Sequence, residues 1–242
     1  MKIFVAIDDT DSLEMGSTGR SANQLRKLIK ERGWGETYPV TRHQLLLHPD
    51  IPYTSHNSAM CFIADIDKES CAEFIAAAGE FLQTTSAPGS DPGLGVAVDE
   101  QISNVELLMS FGFKAKEEIL NKEEAYNTAE KCNVHLSEHG GNGDGVIGAL
   151  AGIALRMSGN DGRFQGRTEL KEPGEIMAIG DVLAQSDIDE VQSIDGELLA
   201  ADQTVILGEK VKSVLLEGKK KLLVYREADG WHTCNTKQLR AY

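Results

Sequence analysis

The segment Ile3-Phe4-Val5-Ala6-Ile7 is five apolar residues in a row, and it stops abruptly at Asp8-Asp9-Thr10-Asp11-Ser12. A short, continuous apolar run of this kind reads as a core strand, and Asp, Thr and Ser favour the loop beyond it. The rest of the chain therefore has to bury that strand while leaving its acidic end accessible. Three carboxylates within four positions repel one another, and a hard cation with oxygen ligands is the simplest device that holds them together. If that cation is magnesium, phosphate chemistry follows. The same residues also fit a solvated turn that caps the next helix, and taken alone they leave both readings open.

The organisation downstream points to an α+β fold of mixed sheets with packed helices. Ala22, Leu25, Leu28 and Ile29 recur at helical spacing, predicting a helix over 20–32 that Gly33 and Gly35 end. Residues 37–47 and 58–66 read as extended, joined by a long polar and proline-rich loop over 48–57. A helix is expected over 69–83, a break at Ser86-Ala87-Pro88-Gly89-Ser90-Asp91-Pro92-Gly93, and a strand over 94–98. Two further helices are expected over 102–111 and 116–131. The run His139-Gly140-Gly141-Asn142-Gly143-Asp144-Gly145 then opens a nearly all-apolar helix over 146–157. Glycines before a helix allow close backbone approach, and the free N–H groups of a first turn make an anion cradle; a flexible loop before a core helix is the other reading. From residue 173 the texture changes to short strands, at 176–179, 204–207, 214–216 and 222–225, with a hairpin turning at Gly218-Lys219. The expected division is a catalytic region over 1–172 and a small β-rich region over 173–242.

Charge narrows the function classes. With 24 Lys and Arg against 38 Asp and Glu, the 242-residue chain carries a formal charge of −14, which opposes broad nucleic-acid binding. Small anionic substrates are less penalised, because a metal and a few amides neutralise them locally. The last 70 residues are no basic arm either: Lys219-Lys220-Lys221 reads as a solvated hairpin tip. Cys61, Cys71, Cys132 and Cys234 lie too far apart in sequence for a paired zinc motif. No apolar stretch reaches membrane-spanning length, and the expectation is a reduced cytoplasmic protein with no membrane partner.

Several landmarks occur together in a fixed order: Ile7-Asp8-Asp9-Thr10-Asp11-Ser12 followed by Thr18, then Ile51-Pro52-Tyr53-Thr54 and Asn57-Ser58-Ala59, then Asp91-Pro92-Gly93, then Gly143-Asp144-Gly145-Val146-Ile147-Gly148-Ala149-Leu150-Ala151. In that order they resemble the archaeal tRNA-isoleucine agmatinylcytidine synthetase family, over about residues 1–168. The resemblance implies a kinase-like catalytic domain with ferredoxin-like elements that uses ATP and magnesium. In that family a tRNA cytidine is phosphorylated and the phosphate is replaced by agmatine. It also implies that Asp8, Asp9 and Asp11 bind the metal, with Asp9, Asp11 and Thr18 catalytic and Thr18 the autophosphorylated threonine. Asp8, Thr10, Ser12, Gly16, Gly143, Gly145 and Gly148 would form the nucleotide site. The residues after 173 leave no room for both the OB-fold and the zinc ribbon of that family. That absence, with the net charge, favours a small-molecule substrate over tRNA.

The chemistry still needs a cation and a base. Arg20, Lys27, Arg42, Arg163 and Arg167 are the candidate cations, Arg20 being nearest Thr18 in sequence. Thr18 itself is either an activated nucleophile or the N-cap of the following helix. His135 and His139 stand four apart, but the glycines around them argue for a surface or substrate-side role rather than zinc. His43, His48 and His56 flank the long loop as candidate bases or loop hydrogen-bond partners. The expected function is an ATP- and magnesium-dependent phosphotransferase or ligase acting on a small molecule; the alternatives are a nucleotide- or metal-binding regulator without turnover, or a tRNA-modifying enzyme that needs a partner.

Overall fold

The computed structural model describes residues 1–12, 16–51 and 57–242, and the chain divides into two compact units, Met1–Ser158 and Gly159–Tyr242. Residues 159–172 thus belong to the second unit. The fold is α+β, as expected. Pro52 to His56, including the candidate base His56, lie outside the described residues.

In the first unit the elements run β1 (Lys2–Asp8), α1 (Thr18–Glu31), β2 (Gly35–Thr37), β3 (Thr41–Gln44), β4 (Ser58–Ile66), α2 (Cys71–Thr85), β5 (Gly93–Val98), α3 (Val105–Lys114), α4 (Lys122–Cys132), β6 (His135–Glu138) and α5 (Gly145–Ser158). The strands order as β6-β5-β1-β4-β3, with β2 also on β4, and every pairing is antiparallel. β1 is central, which explains its unbroken apolar run. Alternate side chains of a strand point to opposite faces. Phe4 and Ala6 join a core with Ala59, Cys61, Val146, Leu150 and Ile153, whereas Ile3, Val5 and Ile7 join one with Leu25, Ile29, Phe62 and Phe74. One face is thus covered by α5, with α3 and α4 contributing to the same cluster, and the other by α1 and α2. Both faces are buried, so no polar alternation survives in the sequence.

The helices begin and end close to where periodicity places them. α1 starts two residues early, so Ser17 rather than Thr18 is its N-cap position. The helix expected over 116–131 is shorter and starts at Lys122, because Asn121 forms a capping box with Glu124. β6 is hidden in the sequence by its short length and half-polar pattern.

The second unit contains β7 (Arg163–Phe164), β8 (Ile176–Ala178), α6 (Ile179–Gln185), β9 (Glu190–Ser193), β10 (Thr204–Ile206), β11 (Ser213–Leu216), β12 (Lys219–Glu227) and β13 (Gly230–Thr233). Its strands order as β7-β11-β12-β13-β10-β8, with β9 pairing in parallel with β12. The hairpin turn lies at Glu217-Gly218, both at positive φ. The lysine run is not a solvated tip: Lys221 is 1% exposed and its ammonium pairs with Glu190 at 3.1 Å and with Glu217. No helix among the described residues is long and apolar enough to cross a membrane.

Candidate functional site

The end of β1 builds the site. Asp8 is the last strand residue and pairs with Gly93 of β5, and Asp9 turns the chain with φ at +51°. The Asp9 N–H donates to Asp8 Oδ1 at 2.9 Å. Thr10 points inward, 2% exposed; its hydroxyl donates to Ser21 Oγ at 3.3 Å and its carbonyl accepts from Ala87 N–H at 3.1 Å. Thr10 therefore ties the turn to α1 and to the loop after α2. Asp11 accepts a hydrogen bond from the Thr18 hydroxyl at 3.1 Å, and Gly16, at φ +91°, packs beside it, where a Cβ would stand 3.2 Å from Asp11 Cβ.

α5 meets the turn at the closest possible range. A Cβ on Gly148 would stand 1.7 Å from Asp8 Oδ2, and one on Gly145 would stand 2.3 Å from the Asp91 carbonyl oxygen. Only glycine lets the first turn of this helix press against the acidic residues. The Gly145 N–H donates to Asp91 O at 3.0 Å, and Asp91 Oδ1 accepts from the Asn142 N–H. Asp91 and Asp144 are thus delivered to the acidic turn from two distant segments.

A cavity of about 610 Å³ opens here, a volume in the ordinary range for small-molecule sites. Asp8, Asp9, Asp11, Thr18, Gly145 and Gly148 all line it, together with Asp144 and the start of α1 at Ser17 and Gly19. Thr10, Ser12, Gly16 and Gly143, expected at the same site, are not among its described lining residues. Gly143 instead makes room for Glu138, whose Oε2 lies 1.9 Å from where a Cβ would be. Leu45, Met60, Ile119, Leu120 and Ile147 supply an apolar share of the wall.

Burial and crowding change the acids. Asp8 is pushed up to about 7, first by burial and then by the charge of Asp9. Asp9 is pushed up to about 6 by burial and by the charges of Asp91, Asp11 and Asp144, although the Asp91 N–H donated to its carboxylate holds it down in part. Among the described residues, three ligand atoms within 4.8 Å of one another occur only at Glu227, Asp229 and His232 of the second unit, so the turn acids are not drawn that tightly together. A set of carboxylates that resist ionisation through burial and then through mutual repulsion nonetheless fits a hard divalent cation, which would offset both. Two helix N-termini, of α1 and α5, also open on the cavity and would favour the negative charge of phosphate.

The cations and histidines fall out differently from their order in sequence. Of the five candidate cations only Arg42 lines the cavity; Arg20 is exposed, Lys27 pairs with Glu31 at 3.1 Å, and Arg163 and Arg167 belong to the second unit. Lys122, which periodicity places inside a longer helix, lines it instead. Asp91 is a further site residue that sequence reasoning misses, although Asp91-Pro92-Gly93 is visible as a motif. His43 is fully buried against Thr41 at 2.7 Å, and His48 lies beside Asp50 at 3.7 Å. His135 and His139 line a separate cavity beside α2, bridged by the Ser137 hydroxyl at 3.1 and 2.8 Å.

No protein-family model matches the chain. The chain is 31% identical over 163 residues, 63% of its length, to the isoleucine-tRNA 2-agmatinylcytidine synthetase of Thermococcus sibiricus, of which the match covers 35%. A solved complex of that synthetase type with its isoleucine tRNA and ATP superposes with a TM-score of 0.55 at 26% identity, covering 69% of this chain and 38% of the other. Over about two thirds of its length, the chain is homologous to the isoleucine-tRNA agmatinylcytidine synthetases. An uncharacterized protein of Methanocaldococcus jannaschii is 26% identical over 155 residues, 64% of this chain and 50% of that protein. The chain thus spans half or less of the relatives it matches.

Proposed function

We propose that this chain is an ATP- and magnesium-dependent phosphotransferase module of the kind used in tRNA modification. The observation that carries the reading is the one cavity that joins the acidic turn, the Thr18 hydroxyl on Asp11, and the starts of α1 and α5. Phosphoryl transfer depends on positioning and on neutralising charge at oxygen, and these groups supply both. Asp8, Asp9 and Asp11 would hold the magnesium, which when bound draws charge from the phosphate oxygens. Thr18 oxygen attacks the γ-phosphorus, its proton passes to Asp11, and ADP leaves; the phosphoryl group then moves to the acceptor. The apolar wall of Leu45, Met60 and Ile147 suits a nucleoside.

The expectation of a small acceptor in place of tRNA has no support from the relatives. The synthetase of Thermococcus sibiricus is named for a tRNA product, and the solved complex contains an isoleucine tRNA beside ATP. The whole-chain charge of −14 is an average, and this chain corresponds to little more than a third of those proteins, so it need not hold their whole RNA grip. We therefore favour a tRNA nucleoside as the acceptor. The test is incubation with γ-labelled ATP, magnesium and bulk tRNA. Label on Thr18 or on tRNA with ADP release supports the reading. If ATP with magnesium neither shifts the melting temperature nor yields ADP, the reading is wrong; a shift without ADP leaves the nucleotide-binding regulator as the function.

A further inference from the structure

The described lining of the cavity carries six carboxylates, Asp8, Asp9, Asp11, Asp50, Glu118 and Asp144, against two cations, Arg42 and Lys122. A triphosphate brought there meets repulsion from most of its wall, even with one divalent cation bound. Arg42 has Nη2 committed to Gln44 Oε1 at 2.6 Å. Lys122 has a different setting. It is the first residue of α4, and the helix start is locked by the capping box: Asn121 Oδ1 accepts the Glu124 N–H at 3.0 Å, and Glu124 accepts the Asn121 N–H at 3.1 Å.

The Lys122 ammonium lies 3.3 Å from both Glu138 carboxylate oxygens and donates to the carbonyl of Asn142 in the glycine turn. Glu138 is held from its other side by the Tyr126 hydroxyl at 2.9 Å, and it occupies the space that Gly143 leaves open. An ammonium has three donors. The two Glu138 oxygens and the Asn142 carbonyl take all three, so a phosphate in the cavity that Lys122 lines would bind it by taking over a direction that Glu138 now holds.

We infer that Lys122 is a phosphate-binding residue of this site, staying on the glycine turn through Asn142 while it exchanges Glu138 for the triphosphate of a nucleotide at the acidic turn. The inference rests on the nucleotide reading proposed above. It identifies a role for the lysine that the first unit brings in from α4, and it ties the turn carrying Asp144 and the start of α5 to the presence of phosphate. A charge-assisted contact of this kind strengthens with the charge on the ligand, so its loss is felt by ATP and not by adenosine.

The test is a binding titration of the full chain with MgATP and with adenosine, run on wild type, Lys122→Met, Lys122→Arg and Glu138→Gln, with melting temperatures alongside. The expected result is that Lys122→Met weakens MgATP about tenfold or more and leaves adenosine unchanged. Lys122→Arg keeps most of the affinity. Glu138→Gln, which removes the competing counter-ion, binds MgATP at least as tightly as wild type. Equal losses for ATP and adenosine, or weaker MgATP binding by Glu138→Gln, would make Lys122 a structural brace only and overturn the inference. Unchanged MgATP affinity in Lys122→Met overturns it as well. Wild type that binds neither ligand instead removes the nucleotide reading itself.

Discussion

Asp8 is the residue whose surroundings say most about the site. Its carboxylate rests on the face of α5 where Gly148 has no side chain, so the two positions are constrained together. Gly148→Ala places a methyl 1.7 Å from Asp8 Oδ2 and must push the carboxylate aside or move the helix. The expected cost is about 1–3 kcal/mol of stability, as for other overpacked cores, with loss of magnesium-dependent ATP binding. Thermal unfolding and an ATP titration check this; an alanine variant that melts and binds like wild type would refute the close contact. Thr18→Ala should behave in the opposite way, keeping the fold and ATP binding while mass spectrometry finds no phosphorylated protein after incubation with MgATP. The acids of the turn are visible in the sequence because they are contiguous. Asp91 and Asp144 as neighbours of Asp9 are not, since their proximity comes from the meeting of β5 and α5 with β1.

At the scale of elements, α4 shows what local pattern can and cannot place. Its existence follows from composition, but its start follows from one cap, the reciprocal Asn121–Glu124 pair. Asn121→Ala should cost about 1 kcal/mol, seen as a drop of about 2–4 °C in melting temperature for a chain of this size. Because the cap fixes the residue that carries the Lys122 ammonium, the same variant should weaken MgATP binding more than adenosine binding, and equal affinities in the two proteins would separate the cap from the site. α5 is legible almost to the residue, since a nearly all-apolar stretch after a glycine run has few other readings. β6 and α6 are not, because four residues of mixed polarity and seven residues of weak periodicity carry little local signal.

For the whole molecule the acidic site makes stability depend on pH and cation together. Asp8 and Asp9 bind protons more tightly in the folded chain, near 7 and 6, than a free carboxylate does. Folding then holds more protons than the unfolded chain between the ordinary carboxylate range and those values. Their contribution to stability is therefore full in acid and is lost as the pH rises through about 6 and then 7. With a chelator present, the melting temperature should fall from pH 5 to pH 8 more steeply in wild type than in Asp9→Asn. Magnesium at pH 8 should restore wild type and leave the variant almost unchanged. Identical pH profiles for the two proteins, or no response to magnesium, would show that the cluster does not govern stability. The charge of −14 suggests a protein that avoids RNA, yet a net charge averages over surfaces that never meet the same ligand.

The sequence alone established what is written in neighbouring residues. It identified a core strand from five apolar positions, four helices from their periodicity, an acidic turn, a glycine run before a helix, and the ordered set of motifs that carries the resemblance. Tertiary structure decided what depends on segments meeting. Only the antiparallel sheet with β1 between β4 and β5 brings Asp91 and Asp144 to Asp9. Only the packing of α5 against the turn gives Gly148 its meaning, and only the seat of α4 brings Lys122 to the cavity wall. Local propensity acts over a few residues, while the charges and close contacts of a site are set by distance in space, and the chain order does not record that distance.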